Sequence, residues 1–425
     1  MQVRSARSPS PQPSPWGEGD LRSTDADRKT RREARQGRGP VRTLTAQMIN
    51  SAKLLRELIA LPSVNPAFVP ANSPYGGEAR VSEFLARIAR SASLDVEFQE
   101  VAPKRANLLA RYSPVSQVKQ RILLAPHMDT VGGSSVTEEL FRPRLRGNRL
   151  FGRGACDTKG SVAAMIWSLI RVATTGEKPR ETEITFAGLV DEESAQAGSR
   201  ALADSKWRAD LAIVGEPTRL KVVTAHKGVL WLELETRGKA AHGARPELGR
   251  NAVHEMARVV DLLETTYASQ LRKQTHPLLG HASVNVGAIR GGSQPNIVPA
   301  ECTALVDRRL LPREGDSRVM RQMAALFRKH KLRVSMRRSH PAECAALETN
   351  ASNKLVQLFL RTTGQRSPAG VDYFSDAGVL AQGGIPSVLF GPGDIAQAHT
   401  PDEWIDLRQL ERAGQMLERF LRSLP

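Results

Sequence analysis

Glu181-Thr-Glu-Ile-Thr-Phe-Ala-Gly-Leu-Val-Asp-Glu-Glu-Ser194 reads as a buried strand that closes on three consecutive acids, Asp191, Glu192 and Glu193. Burying one unpaired carboxylate costs several kcal/mol, and crowding two together raises a pKa until one proton stays on. The acids therefore need either a solvated turn or positive charge nearby. Three further apolar runs have the same form. Ile122-Leu-Leu-Ala125 leads to His127 and Asp129, Leu211-Ala-Ile-Val214 to Glu216, and Ile385-Pro-Ser-Val-Leu-Phe390 through Gly391-Pro-Gly393 to His399. Helical stretches separate these runs, which is the rhythm of an α/β sheet, and open α/β sheets collect ligands at the carboxyl ends of their strands. Chemically able side chains following every run point to one site there.

The rhythm changes between about residues 219 and 336. Strand-like Gly228-Val-Leu-Trp-Leu-Glu-Leu-Glu-Thr236 precedes a helical stretch from Asn251. Two strand candidates, Ala282–Ile289 and Ile297–Val306, follow, then a helix over Asp316–His330 and a strand at Leu332–Met336. The order β-α-β-β-α-β is the ferredoxin-like split arrangement. We read it as a domain inserted into an α/β domain that spans 46–218 and 337–425. Residues 1–45 hold Ser-Pro-Ser-Pro and a charged run without apolar periodicity, so disorder is expected there. The patterned chain opens at Met48, and a start codon assigned too early is the expected reason for the leader.

With 425 residues, 40% of them hydrophobic, the chain has material for two ordinary domains. No run reaches the length of a membrane helix and no apolar signal core opens the chain, so a cytoplasmic protein without membrane contact is expected. Cys156, Cys302 and Cys344 are too scattered for a disulfide scaffold or a thiolate cluster. The net charge of +17 raises the alternative of a basic nucleic-acid-binding protein on an inactive form of this fold. The arginines are spread singly and interleaved with acids, and no nucleic-acid partner is expected.

In His127-Met-Asp129 one side chain is placed to orient the other, as a metal-bound imidazole requires; a buried histidine bonded to an aspartate is the bland alternative. Asp157 lies in Gly152-Arg-Gly-Ala-Cys-Asp-Thr-Lys-Gly160, a glycine-rich turn before the helical Ser161-Val-Ala-Ala-Met-Ile. Such a turn can cradle phosphate, but an acid within it repels anions and favours a cation. His127, Asp157, Glu193, Glu216 and His399 together suit Zn²⁺, and they are more donors than one tetrahedral ion needs.

The segments Ala125–Val131, Gly152–Gly160, Val190–Glu193, Gly215–Thr218 and Ala398–Glu403 resemble, in order, the metal motifs of the acetylornithine deacetylase, succinyl-diaminopimelate desuccinylase and carboxypeptidase family. The resemblance runs from Met48 to the C-terminus. It implies an amide hydrolase with two Zn²⁺ per subunit, Co²⁺ being a competent substitute. Asp157 bridges the ions, His127 and Glu216 complete one site, and Glu193 and His399 complete the other. Asp129 steadies His127, and Glu192 is the general base; strand alternation is expected to aim it away from Glu193. His242 is matched to a histidine that reaches across a homodimer to the partner's oxyanion. Asn296, Arg309 and, more weakly, Lys227 match substrate-binding positions. In Asp372-Tyr-Phe-Ser-Asp-Ala377, Phe374 and Ser375 replace the small residue and threonine of a Gly-Thr-Asp loop over the substrate, with Ser375 the candidate contact. The implied substrate is an N-acyl amino acid of acetylornithine or succinyl-diaminopimelate type, with a carboxypeptidase or dipeptidase acting on a short peptide as the alternative. The remaining histidines are read as structural or surface residues.

Overall fold

A computed structural model describes residues 50–132, 136–340 and 342–425. The leader expected over 1–45, and Met48, lie outside the described residues. The quoted apolar runs become neighbouring strands because each buries both faces. Ile122 and Leu124 enter one core, while Leu123 and Ala125 enter another on the opposite side. A strand covered on both faces needs no polar alternation, which is why the run reads as continuous. The sheet runs in the order Asp95–Ala102, Arg105–Tyr112, Thr182–Gly188, Gln120–Pro126, Leu211–Gly215, Ser387–Leu389, Val223–His226, Leu347–Glu348, with Ala369–Val371 also paired to Val223–His226. It is mixed: its centre, from Thr182–Gly188 to Ser387–Leu389, is parallel, and the pairs at its Asp95–Ala102 end are antiparallel.

Helix Lys159–Thr174 packs against this sheet and is buried on most sides, including Val162, Met165, Ile166 and Leu169. Its sequence accordingly carries a continuous apolar run instead of a stripe. Leu407–Arg422 lies over it and shows the stripe expected of an outer helix, burying Leu410, Ala413, Leu417, Phe420 and Leu421.

The second sheet has the order Ser283–Gly291, Glu301–Leu310, Gly228–Arg237, Val334–Arg338, all antiparallel. Helices Ala252–Leu262 and Asp316–Lys329 contribute to a core of its own, which contains Leu232, Leu234, Met256, Val306, Met323 and Phe327. This is the split β-α-β-β-α-β arrangement. Several boundaries differ from expectation: the inserted unit begins at Gly228 and not at 219, because Val223–His226 pairs into the first sheet, and the third strand ends at Leu310. The third strand starts at Glu301, not Ile297, because Pro299 has no N–H for a ladder and residues 296–298 pair instead with the loop at 241–243. The last strand runs to Arg338, past the expected boundary at 336. Among the described residues no helix is long and apolar enough to cross a membrane.

Candidate metal centre

The carboxyl ends of the central strands converge. His127 follows Gln120–Pro126 and is held by a bridge to Leu189, beyond the end of Thr182–Gly188. Glu216 follows Leu211–Gly215 directly, and His399 sits in the loop after Ser387–Leu389. The structure brings His127, Asp157 and Glu193 together, with one donor atom from each lying within 4.8 Å of the others. His399 Nε2 stands 3.3 Å from both Asp157 Oδ2 and Glu193 Oε2. Asp157 thus presents one oxygen to each imidazole, since its Oδ1 lies 3.1 Å from His127 Nε2.

The acidic triplet is resolved by a turn. The strand ends at Gly188, and Asp191 takes a left-handed backbone with φ +70°. Alternation therefore does not separate Glu192 from Glu193; the turn does, and Asp129 holds it. Asp129 Oδ1 accepts from Glu192 N at 3.2 Å and Oδ2 from Glu193 N at 3.1 Å. Asn65 Nδ2 donates to Asp129 Oδ2 at 2.8 Å and to Asp191 Oδ1 at 3.0 Å. Arg105 pairs with Asp191 at 2.8 Å and with buried Glu78 at 2.5 Å. Asp191 is thereby neutralised by protein groups, while Glu192 and Glu193 are left for other work. Asn65, Glu78 and Arg105 escaped the sequence reading; Ser63-Val-Asn-Pro66 signals only a turn.

The donors fit a cation. His127 Nδ1 lies 3.0 Å from the carbonyl of Asp129, which can only accept, so that nitrogen carries a proton and Nε2 is the one that faces the cluster. Burial opposes charge on His127, but its hydrogen bonds to Asp129 and Asp157 raise it well above the ordinary imidazole value. Glu193 Oε1 and Glu216 Oε1 are buried without a hydrogen-bond partner. Burial, reinforced by the Asp157 carboxylate, pushes Glu193 up to about 7 and raises Glu216 well above the carboxylate range. The hydrogen bonds to Asp157 and Glu193 raise His399 to about 10. Burial and the crowding of these acids account for the shifts, and a dication reverses the logic for the carboxylates.

The Asp157 loop is positioned by Glu403, another residue the sequence reading gave no task. Glu403 is buried; its Oε1 accepts from Cys156 N at 2.8 Å and Asp157 N at 2.9 Å. Its Oε2 accepts from Gly154 N at 2.9 Å and Arg153 Nη1 at 3.1 Å. Gly154 has φ +80°, and a Cβ there meets Thr130 Cγ2 at 2.8 Å, so the turn requires glycine. From the other side, fully buried Lys159 donates to the carbonyls of Leu58 at 2.9 Å and Leu61 at 2.6 Å, tying the loop to the end of helix Ser51–Ile59.

The remaining sequence candidates lie on or beside the second sheet. His242 is exposed, accepts from Ala244 N at 3.1 Å and bridges Ile297, which sets it beside exposed Asn296. Among the described residues neither His242 nor Asn296 hydrogen-bonds a metal-ligand candidate. Arg309 grips both oxygens of Asp307, at 2.9 and 3.0 Å, and Lys227 pairs with Asp372 at 2.7 Å. Ser375 is buried; its hydroxyl lies 3.1 Å from His226 Nε2 and accepts from Ala377 N at 3.2 Å as a helix cap.

Residues 123–423 match the model of peptidase family M20/M25/M40. The chain belongs to that family. It is a metal-dependent hydrolase, and its M20 fold carries the mixed central sheet described above. An acetylornithine deacetylase of Myxococcus xanthus is 30% identical over 341 residues, 77% of this chain and 87% of the relative. Among solved M20 folds, an aminopeptidase PepT of Bacillus cereus superposes with a TM-score of 0.70 at 22% identity, covering 88% of this chain and 99% of that one. A Bacillus subtilis protein described as a dinuclear metal-binding peptidase of family M20 superposes with a TM-score of 0.64 at 14% identity, covering 88% and 96%.

Proposed function

We propose that this M20 hydrolase removes the N-acyl group from an amino acid, with two Zn²⁺ ions as resident metals and Co²⁺ as a working substitute. One observation carries the reading. Asp157 turns its two oxygens to two imidazoles while Glu193 and Glu216 each keep an unpartnered buried oxygen beside it. In this reading His127 and Glu216 would hold one ion and Glu193 and His399 the other, with Asp157 shared between them. When bound, such ions polarise the scissile carbonyl and acidify the attacking water.

The chain's own residues do the rest. Asp129 fixes the tautomer and angle of His127 and, through the two backbone N–H groups it accepts, the direction of Glu192. Glu192 takes a proton from the attacking water and delivers it to the departing amine nitrogen. Arg309, oriented by Asp307 through Nε and Nη2, keeps Nη1 for the substrate carboxylate, with Lys227 and Asn296 as further contacts. The inserted unit over 228–338 acts as lid and homodimer contact, bringing His242 to the partner's oxyanion. The enzyme works in the cytoplasm.

Dialysis against EDTA is expected to abolish hydrolysis, and added Zn²⁺ or Co²⁺ to restore it; activity that survives verified metal removal sinks the reading. Assay of acylated amino acids beside dipeptides separates the deacylase from a carboxypeptidase or dipeptidase of the same chemistry.

A further inference from the structure

Alternate residues of Gly228–Arg237 and Glu301–Leu310 divide between the faces of the second sheet. Leu230, Leu232 and Val306 turn into its core, whereas Trp231, Asp307 and Arg309 share the other face. Trp231 stands opposite Asp307 in register and donates its Nε1–H to Asp307 Oδ2 at 3.0 Å. Arg309 holds the same carboxylate, so the indole is fixed in place. Two rings meet it edge-on: His340 at 5.3 Å and 79°, Phe374 at 6.0 Å and 82°.

Phe374 arrives on a loop that faces two ways. Toward the metal-ligand cluster, the hydroxyl of Tyr373 lies 3.4 Å from the carbonyl of Pro217, next to Glu216. Asp376 accepts from the Ser199 hydroxyl at 2.5 Å, anchoring the loop to the helix that follows Glu193. Toward the second sheet, Asp372 pairs with Lys227 and Phe374 meets Trp231. The loop thus carries one ring, Tyr373, beside the hydrolytic centre and the next, Phe374, against the second sheet, and together with Trp231 they form an aromatic wall.

The charges along this wall are already matched: Asp372 by Lys227, Asp307 by Arg309 and Glu233 by Arg337. A cationic side chain entering here meets Lys227 and Arg309 before it meets an unpaired acid. An apolar ring meets three others and displaces water from them, which is favourable.

We propose that Tyr373, Phe374 and Trp231 wall the subsite for the leaving amino acid's side chain and select a bulky apolar or aromatic group over the ammonium of ornithine. This rests on the deacylase reading. The test compares N-acetyl-L-phenylalanine, N-acetyl-L-leucine and N-acetyl-L-ornithine as substrates of the zinc-loaded full chain. The phenylalanine derivative is expected to exceed the ornithine derivative in kcat/KM by at least about tenfold. Phe374→Ala is expected to lower kcat/KM for the phenylalanine derivative by about tenfold more than for the ornithine derivative, mainly through KM. Free L-phenylalanine is expected to raise the unfolding midpoint of the wild type and to lose that effect in Phe374→Ala. Preference of the wild type for N-acetyl-L-ornithine overturns the inference alone, as does an equal loss on all substrates in the variant, which marks a packing role. Failure to cleave any N-acyl amino acid overturns the deacylase reading and this inference with it.

Discussion

Glu192→Gln is expected to lower kcat by about 10²–10⁴-fold while zinc content and KM stay close to wild type. The residue is buried, and among the described residues no hydrogen bond ties down its carboxylate; only its backbone N–H is held, by Asp129. Burial raises its pKa well above the carboxylate range, opposed by His127 and reinforced by Glu216, Asp376 and Glu193. A carboxylate reluctant to stay charged takes a proton readily, and dications in the neighbouring donors pull it back toward a value from which the proton can be passed on. Glutamine keeps the shape and removes the proton acceptor, so the loss falls on the chemical step and not on binding. Glu193→Gln is the contrast: it removes a charged ligand donor, so metal content and turnover are expected to fall together. Elemental analysis beside steady-state kinetics separates the two variants. Near-wild-type turnover by zinc-loaded Glu192→Gln refutes its assignment as the base.

The five proposed donors stand out in the sequence because each follows an apolar run or lies in a glycine-rich turn, and burial on both faces makes such runs continuous; the structure groups His127, Asp157 and Glu193 and sets His399 beside them. The split order of the second sheet was legible for a related reason, since its strands and helices change period where the chain changes element. What escaped were residues whose task is fixed only by contacts distant in sequence. Asn65 meets Asp129 and Asp191 across 64 and 126 positions, and no local pattern marks an asparagine that will do so. The direction of Glu192 depends on a left-handed Asp191, whose φ is set by the Arg105, Glu78 and Asn65 network and not by strand pleat. The pinned indole of Trp231 was likewise invisible, because its ring partners come from His340 and Phe374, beyond the end of its own sheet.

Glu403→Ala is expected to destabilise the protein by about 3–5 kcal/mol and to strip it of metal, although Glu403 is not among the proposed ligands. The wild-type carboxylate answers three backbone N–H groups and the guanidinium of Arg153, which is itself buried. Truncation leaves these donors without an acceptor in a place water does not reach, and the unpaired guanidinium is the most costly of them. At about 2.1 cal/mol/K per residue of unfolding entropy, the loss corresponds to a midpoint lowered by about 5 °C for a chain of this size. Asp157 follows Cys156 in the loop these bonds shape, so the oxygen directed at each imidazole moves when the loop relaxes. Glu403→Gln preserves volume but sets an amide NH₂ against groups that also donate, and little rescue is expected. Comparing variant and wild type after exhaustive chelation isolates the loop term: the difference in midpoint should persist without metal. If it vanishes, metal loss accounts for the whole effect, and Glu403 does not hold the loop independently of the ions.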